Sequence, residues 1–385
     1  MNLALVSRFA WPSIGGTEAL VSELASSMVD AGESVRVFAH RIDEETVEWR
    51  GPLDRAPEFS PQIDPANGVA TLQLRLDRYE AFLLRVAAIP GEKRRPFEAL
   101  HARVSSRRFA RQLAGADVVH RFGGNRMALA TVRGARRLGA STIVTPLAHP
   151  GQWDADQLSA RAYREADLVI ATSKSDAAVY DRLGVRSDRI GICPLPTKAV
   201  VRGGGQTLRT NLNVEGPIVL FLGDRRPYKG VQELLQAAAI LAPRVREARF
   251  AFVGPGPALD GAAANVLDVG PVSAPQRDAW LDAADILCVP SAAESFGLVV
   301  SEAWSAGTPV VTSDIPVLHE RVTEAGGGLV SSREPPALAD AIHTLLANSR
   351  LRLEMGQAGY EHWRQTCSVA SVADWHRAAY ARLLT

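Results

Sequence analysis

The 385-residue chain has few cysteines and no long apolar run. Its three cysteines, Cys193, Cys288 and Cys367, lie far apart, and no CxxC or Cys/His ligand spacing occurs, which argues against a disulfide framework or a zinc site. This cysteine usage favours the reducing cytoplasm. Since no apolar run reaches about 18 residues, we expect no membrane span. The N-terminal stretch MNLALVS is too short for a signal peptide and predicts a first strand.

The chain also lacks an excess of charge of either sign. Lys and Arg number 43 and Asp and Glu number 42, so the formal net charge is +1. This balance argues against a nucleic-acid partner, which would favour a strongly basic surface. At roughly 150 residues per domain, the length suggests two to three domains.

Short apolar runs alternate with segments of helical periodicity, a pattern typical of parallel strands joined by crossover helices. The clearest helix covers residues 17–31, with Thr17 as a cap and Gly32 just beyond its end. A nearly continuous helical stretch covers about 335–384. Strands are predicted at 3–7, 35–39, 117–120, 142–145, 168–172, 189–193, 217–223, 249–254, 265–270, 285–290 and 308–313.

Three consecutive glycines within residues 199–210 predict a flexible connection between two domains. We therefore expect two Rossmann-like, doubly wound α/β domains at 1–198 and 211–366, joined by the linker 199–210. Residues 367–385 would form a C-terminal helix that can pack back on the first domain. Ligands bind such sheets at the carboxyl ends of strands, so two domains facing a cleft would place the site there.

Two loops between a predicted strand and a predicted helix carry candidate phosphate-binding residues. In the first, SRFAWPSIGGTE (7–18), Gly15 and Gly16 would let the backbone approach an anion at a helix start, although a plain glycine turn also fits. The second, LGDRRPYKG (222–230), carries Arg225, Arg226 and Lys229, which could neutralise a diphosphate or form a solvated basic loop. Neither GxGxxG nor a Walker A motif occurs, which disfavours a nicotinamide dehydrogenase.

The most informative segment is VPSAAESFGLVVSEAWSAGTPVV (289–311). A strand ends at Pro290, a loop carries Glu294, and a helix begins near Gly297. Glu302 lies in that helix and can lean towards its N-terminus. The N–H groups of residues 296–298 would have no partner within the helix and would lie beside two carboxylates. Carboxylates accept hydrogen bonds from sugar hydroxyls, and N–H groups bind phosphate oxygens. The combination suits a sugar attached to a phosphate. An ordinary βα unit with a surface glutamate is the alternative.

The E-x7-E pair Glu294/Glu302, followed by AWSAGTPVV, resembles the retaining family-4 glycosyltransferases of GT-B fold. The resemblance extends over nearly the whole chain, through IGGTE, DLVIATSKSDAAVYDRLGV (167–185), VGPGP (253–257), VGPV (269–272) and ADILCVPS (284–291). It implies an N-terminal domain that binds the acceptor and a C-terminal domain that binds a nucleotide sugar.

The resemblance also implies residue roles. Catalytic residues would be His149, Glu294 and Lys229, with Glu294 facing the transferred sugar and Lys229 neutralising the leaving diphosphate. The loop 270–272 would read the base through backbone atoms. The remaining donor contacts would come from Gly16, Arg225, Val272, Phe296, Gly297, Leu298 and Glu302, the last binding ribose hydroxyls.

Two features depart from the family pattern. Asp224 stands where the family usually has an arginine, so either Arg225 or Arg226 would reach the phosphate. The turn CPLPTKA (193–199) replaces a Gly-Val-Asp turn, so contacts from that turn are not transferred. Asp154–Asp156 match a short DxD metal signature, but we expect no metal and no other cofactor, since basic residues and helix N–H groups supply the charge.

The resulting hypothesis is a cytoplasmic glycosyltransferase that moves a sugar, with retention, from a nucleotide-diphosphate sugar, most commonly UDP-linked in the family, to an acceptor hydroxyl. The acceptor would be a small molecule or a glycolipid. A nucleotide-sugar epimerase or phosphorylase and a catalytically silent nucleotide-sugar-binding protein are the alternatives. The basic segment 85–111 is interpreted as a solvated helix face that shapes acceptor choice, in preference to a peripheral membrane contact.

Overall fold

The computed structural model divides into two compact units, Met1–Pro196 with Val372–Thr385 and Thr197–Ser371. The residues that the structure describes are 1–10, 16–41, 60–65, 67–76, 79–80, 82–83, 95–124, 127–147, 157–259 and 263–385. Within them, no helix is both long and apolar enough to cross a bilayer.

The first unit is built on an eight-stranded sheet of order β3-β4-β2-β1-β5-β6-β7-β8. Among the described residues of this sheet, only β3 and β4 pair in antiparallel fashion. The elements are β1 (Asn2–Phe9), α1 (Gly16–Asp30), β2 (Ser34–Arg41), β3 (Gln62–Ile63), β4 (Ala70–Gln73), α2 (Arg95–Gln112), β5 (Val118–Phe122), α3 (Ala128–Arg137), β6 (Ser141–Thr145), α4 (Gln157–Glu165), β7 (Leu168–Ala171), α5 (Lys174–Arg182), β8 (Ile190–Ile192) and the C-terminal α13 (Val369–Leu384).

Helix α13 completes the core of the first unit. The buried His120 of β5 lies between the Tyr380 hydroxyl and the Thr145 hydroxyl, with each hydrogen bond 2.7 Å long. Ser141 Oγ donates to the carbonyl oxygen of Leu383 over 3.0 Å. These contacts join the end of the chain to strands from its first half.

The second unit is built on a six-stranded sheet of order β11-β10-β9-β12-β13-β14, and all of its neighbouring strands are parallel. Strands β9, β12 and β13 are buried along their whole length, as expected when helices cover both faces of a parallel sheet. The elements are α6 (Gly204–Asn211), β9 (Ile218–Leu222), α7 (Val231–Leu241), β10 (Arg249–Val253), β11 (Val266–Gly270), α8 (Ala274–Ala283), β12 (Ile286–Val289), α9 (Leu298–Ser305), β13 (Val310–Ser313), α10 (Pro316–Ala325), β14 (Gly328–Ser331), α11 (Pro335–Ala347) and α12 (Ser349–Thr366).

The predicted fold class, two doubly wound α/β domains, is confirmed. Every strand predicted from the sequence is present within a few residues, and the helix predicted at 17–31 is α1. The stretch 335–384 contains α11, α12 and α13. Strands β3, β4 and β14 were not predicted, because they are only two to four residues long and lack a marked apolar run.

The glycine run that suggested a flexible linker at 199–210 instead leads into helix α6. The N–H groups of Gly203 and Gly205 both donate to Asp282 Oδ2 over 2.8 Å. A Cβ on residue 205 would lie 2.7 Å from the backbone nitrogen of Ala283. These glycines therefore serve close packing of α6 on α8, a use that local composition cannot distinguish from flexibility.

Candidate active site

The candidate site lies at the carboxyl edge of the second sheet, where the strand order reverses. Strands β9 and β12 are neighbours, but the chain proceeds from β9 to β10 on one side and from β12 to β13 on the other. Loops that leave such strands diverge and open a crevice, which is the usual ligand position in doubly wound sheets. The loop after β9 carries Lys229, and the loop after β12 carries Glu294.

Backbone contacts join these two loops. The N–H of Ala292 donates to the carbonyl oxygen of Tyr228 over 2.7 Å. Gly230 has a φ of 77°, and a Cβ there would lie 2.2 Å from the carbonyl oxygen of Pro290. Only glycine permits both the left-handed backbone and this approach. The geometry of the site therefore depends on Gly230 as well as on the charged side chains.

Lys229 and Glu294 form an ion pair across the reversal point. Lys229 Nζ lies 2.7 Å from Glu294 Oε1, which also accepts a 2.9 Å hydrogen bond from Ser291 Oγ. The two side chains are 21% and 11% exposed, so they are partly shielded yet reachable from solvent. The pair offers a cation for phosphate and a carboxylate for hydroxyl groups at one place.

The turn before α9 follows Glu294 by two residues and presents backbone donors. Gly297 adopts a φ of 75° at the N-cap of the helix. The N–H groups of Phe296, Gly297 and Leu298 form no hydrogen bond with any described residue. They lie at the partially positive end of α9 and are suited to bind an anion.

Glu302, on the second turn of α9, forms an ion pair with Arg277 of α8. The Glu302 side chain is 16% exposed. Helix α8 begins directly after the loop that contains Val272, which is half-buried. The structure therefore directs Glu302 towards the α8 side of the site, while Glu294 faces Lys229.

Arg225, a predicted donor-binding residue, is buried in the structure. Its guanidinium donates to the carbonyl oxygens of Pro257 and Phe252, each over 2.9 Å, and lies 2.5 Å from Asp268 Oδ1. This hydrogen bond from Arg225 lowers the pKa of Asp268. Because Arg225 is buried and engaged in this way, it holds neighbouring loops together. Arg226 is half-exposed and lies 3.2 Å from Asp224.

The predicted residues of the first unit are only partly described. Gly16 is the first residue of α1, directly after the loop that follows β1. His149 and Asp154–Asp156 lie outside the described residues. Their predicted roles therefore stay predictions.

Sequence reasoning missed three residues that support the site. Ser291 holds Glu294, Arg277 holds Glu302, and Arg321 of α10 donates to the turn before α9. A serine just after a strand is the only local signal among them. The two arginines come from helices distant in sequence, so no spacing rule connects them with the acids that they contact.

Two family models match the chain, one for each half. The "Glycosyl transferase 4-like domain" matches residues 15–196, and "Glycosyl transferases group 1" matches residues 216–348, which include Lys229, Glu294 and Glu302. A D-inositol 3-phosphate glycosyltransferase from Thermomonospora curvata is 31% identical over 226 residues, which are 53% of this chain and 52% of that protein. The chain thus matches about half the length of this curated relative.

Solved structures resemble the whole chain. The Anabaena protein HepE, solved in complex with UDP, has a TM-score of 0.73 at 16% identity and covers 99% of this chain and 100% of its own. Sucrose-phosphate synthase from Thermosynechococcus elongatus has a TM-score of 0.66 at 22% identity and covers 100% and 99%. At these identities the likeness shows the fold alone. The fold is GT-B. The two family models, which together match residues 15–196 and 216–348, show that the chain belongs to the family-4 glycosyltransferases.

Proposed function

We propose that the protein transfers a sugar from a uridine diphosphate sugar to an acceptor hydroxyl with retention of the anomeric configuration. The observation that carries this proposal is the Lys229–Glu294 ion pair at the strand-order reversal, followed two residues after Glu294 by a turn whose N–H groups, at residues 296–298, donate to no described residue. A cation and backbone donors suit the diphosphate, and a carboxylate suits the sugar hydroxyls.

The diphosphate gains negative charge as it leaves, so the main catalytic term is electrostatic. Lys229 and the N–H groups of Gly297 and Leu298 stabilise this charge, with Arg226 as the second cation in place of Arg225. The incoming diphosphate replaces Glu294 as the partner of Lys229. The released carboxylate of Glu294 then accepts hydrogen bonds from the transferred sugar.

The nucleoside lies on the other side of α9. Glu302 binds the ribose hydroxyls, and Arg277 keeps its carboxylate in place. The loop with Val272 reads the base through backbone atoms. Gly16, as a donor-binding residue, and His149, as a catalytic residue, keep the roles that the family resemblance implies. Attack on the same face of the sugar, with the departing phosphate accepting the proton of the hydroxyl, accounts for retention without a carboxylate nucleophile.

A donor panel tests this function. Nucleoside diphosphate sugars are screened for an increase in melting temperature, which ligand binding to the folded state produces. The stabilising donor is then incubated with candidate hydroxyl acceptors, including D-inositol 3-phosphate because of the relative's name. We expect release of UDP and formation of a glycoside that keeps the anomeric configuration of the donor sugar. An epimerase would leave the nucleotide attached to the sugar. A nucleotide-sugar-binding protein without catalytic activity would release no nucleotide from any donor.

A further inference from the structure

Arg321, on α10, is a buried cation that has no role in the reaction as proposed above. Its side chain lies 3.7 Å from the centroid of the Phe296 ring and is only 5% exposed as a residue. It forms no ion pair with a carboxylate of the described residues. Burial lowers the pKa of the guanidinium, but an arginine remains charged in proteins. An unpaired buried charge is costly, so its hydrogen bonds require an explanation.

Among the described residues, three of the four hydrogen bonds of Arg321 go to the turn before α9 and the first turn of that helix, and the fourth goes from Nη2 to Cys367 Sγ over 4.0 Å. Arg321 Nη1 donates to the carbonyl oxygens of Phe296 over 2.6 Å and of Gly297 over 3.0 Å. Arg321 Nη2 donates to Ser301 Oγ over 2.5 Å, which fixes the second arm of the guanidinium. One planar group thus holds two successive peptide units and the helix that follows them.

The geometry of the peptide bond transmits this hold to the other side of the turn. In a trans peptide unit, the carbonyl and the N–H of the following residue point in opposite directions. Fixing the Phe296 carbonyl on Arg321 therefore aims the Gly297 N–H away from Arg321. Fixing the Gly297 carbonyl does the same for the Leu298 N–H. Donation to each carbonyl also polarises the peptide and strengthens its N–H as a donor.

We propose that Arg321 is a positioning residue for the donor diphosphate, which it serves by aiming and polarising the N–H groups of Gly297 and Leu298. This inference rests on the proposed function and explains how the N–H groups of the turn are oriented to bind phosphate. The bound diphosphate would also supply the negative charge that the buried guanidinium lacks. Arg321 itself does not touch the ligand.

Calorimetry with two probes, UDP and uridine, separates this role from a general loss of structure. Arg321→Met should weaken UDP binding about 10- to 100-fold, the range for losing a hydrogen bond to a charged group. The affinity for uridine should stay unchanged, because the nucleoside does not reach the turn. Arg321→Lys, which keeps the charge but not the planar fork, should give a smaller loss of UDP affinity.

Arg209→Met is the matched control. Arg209 also donates to backbone carbonyls, those of Ala283 and Gly216, and pairs with Asp285, but at the opposite, amino edge of the same sheet. Its loss should lower the melting temperature without changing the ratio of UDP to uridine affinity.

Should Arg321→Met not fold, Ser301→Ala, which frees one arm of the guanidinium, should still weaken UDP binding about threefold.

The outcomes distinguish the two proposals. If the unsubstituted protein binds UDP more tightly than uridine, but Arg321→Lys and Ser301→Ala leave that preference intact, the positioning role is overturned and the proposed function survives. If the unsubstituted protein itself shows no preference for UDP over uridine, the proposed function fails and the positioning role fails with it.

Discussion

Replacing Lys229 by alanine should abolish most turnover while barely changing stability. Without a donor, the ion pair with Glu294 is 2.7 Å long and its side chains are 21% and 11% exposed. A pair in such contact with solvent contributes about 1 kcal/mol to folding. During transfer, however, the same ammonium would face a leaving diphosphate. Removal of one such electrostatic donor costs about 3 kcal/mol, or a loss of kcat of about 100-fold or more.

The assay follows nucleotide release at saturating donor and acceptor, together with the melting temperature of each variant. Arg244→Ala is a suitable control, because it breaks an ion pair with Asp340 in the same unit, 2.9 Å long and well exposed. It should match Lys229→Ala in stability and keep normal turnover. Near-normal kcat in Lys229→Ala, or an equal loss in the control, would refute the assignment of Lys229 to the leaving group.

Three further perturbations have expected outcomes. Burial lowers the pKa of His376 to about 4, so its contribution of about 3 kcal/mol is complete above pH 6.5 and is lost as the pH falls towards 4. His376→Gln should make the fall in melting temperature over that range shallower, while the buried His40, His101 and His120, whose pKa values burial also lowers, keep part of the slope. An unchanged slope would contradict this. Gly230→Ala should lower the free energy of unfolding by more than about 1 kcal/mol beyond the loss in Gly139→Ala, as measured by denaturant unfolding. Both glycines have a positive φ, but of the two only residue 230 would bring a Cβ within 2.2 Å of a carbonyl oxygen. Equal losses in the two variants would exclude the clash. Arg225→Met should lower the free energy of unfolding by about 2 kcal/mol and leave donor affinity in calorimetry unchanged. Arg226→Ala should weaken donor affinity and leave the free energy of unfolding unchanged. If instead Arg225→Met weakens donor binding and Arg226→Ala does not, Arg225 is the residue that contacts the diphosphate.

Much of the fold could be predicted because its signals are local. The buried strand β9 is a run of five apolar residues, and the stripe of Leu20, Val21, Leu24 and Met28 marks the inner face of α1. Strand order could not be predicted in this way, since pairing depends on contacts between distant segments. The reversal between β9 and β12, which locates the site, is therefore known only from the structure.

The site could be predicted only in part, for a related reason. Glu294 and Glu302 lie in one motif, and the loop with Lys229 stands out by its charge. Arg225 has the same local signal as Lys229, but its side chain turns inward to Asp268, 43 residues later in the sequence. A charge in a loop predicts neither its direction nor its partner, because both are set by what packs against the loop.

The partners of the two glutamates bear on how a donor would be accepted. In this structure Lys229 neutralises Glu294, and Arg277 neutralises Glu302. A ligand with phosphate alone would satisfy the cation but leave the half-buried Glu294 with the Ser291 hydroxyl in place of a counter-charge. A ligand with hydroxyls alone would have to compete with an ion pair for each carboxylate. A phosphorylated sugar would replace both halves of the Lys229–Glu294 pair at once, so we expect the paired site to favour a molecule that carries both groups.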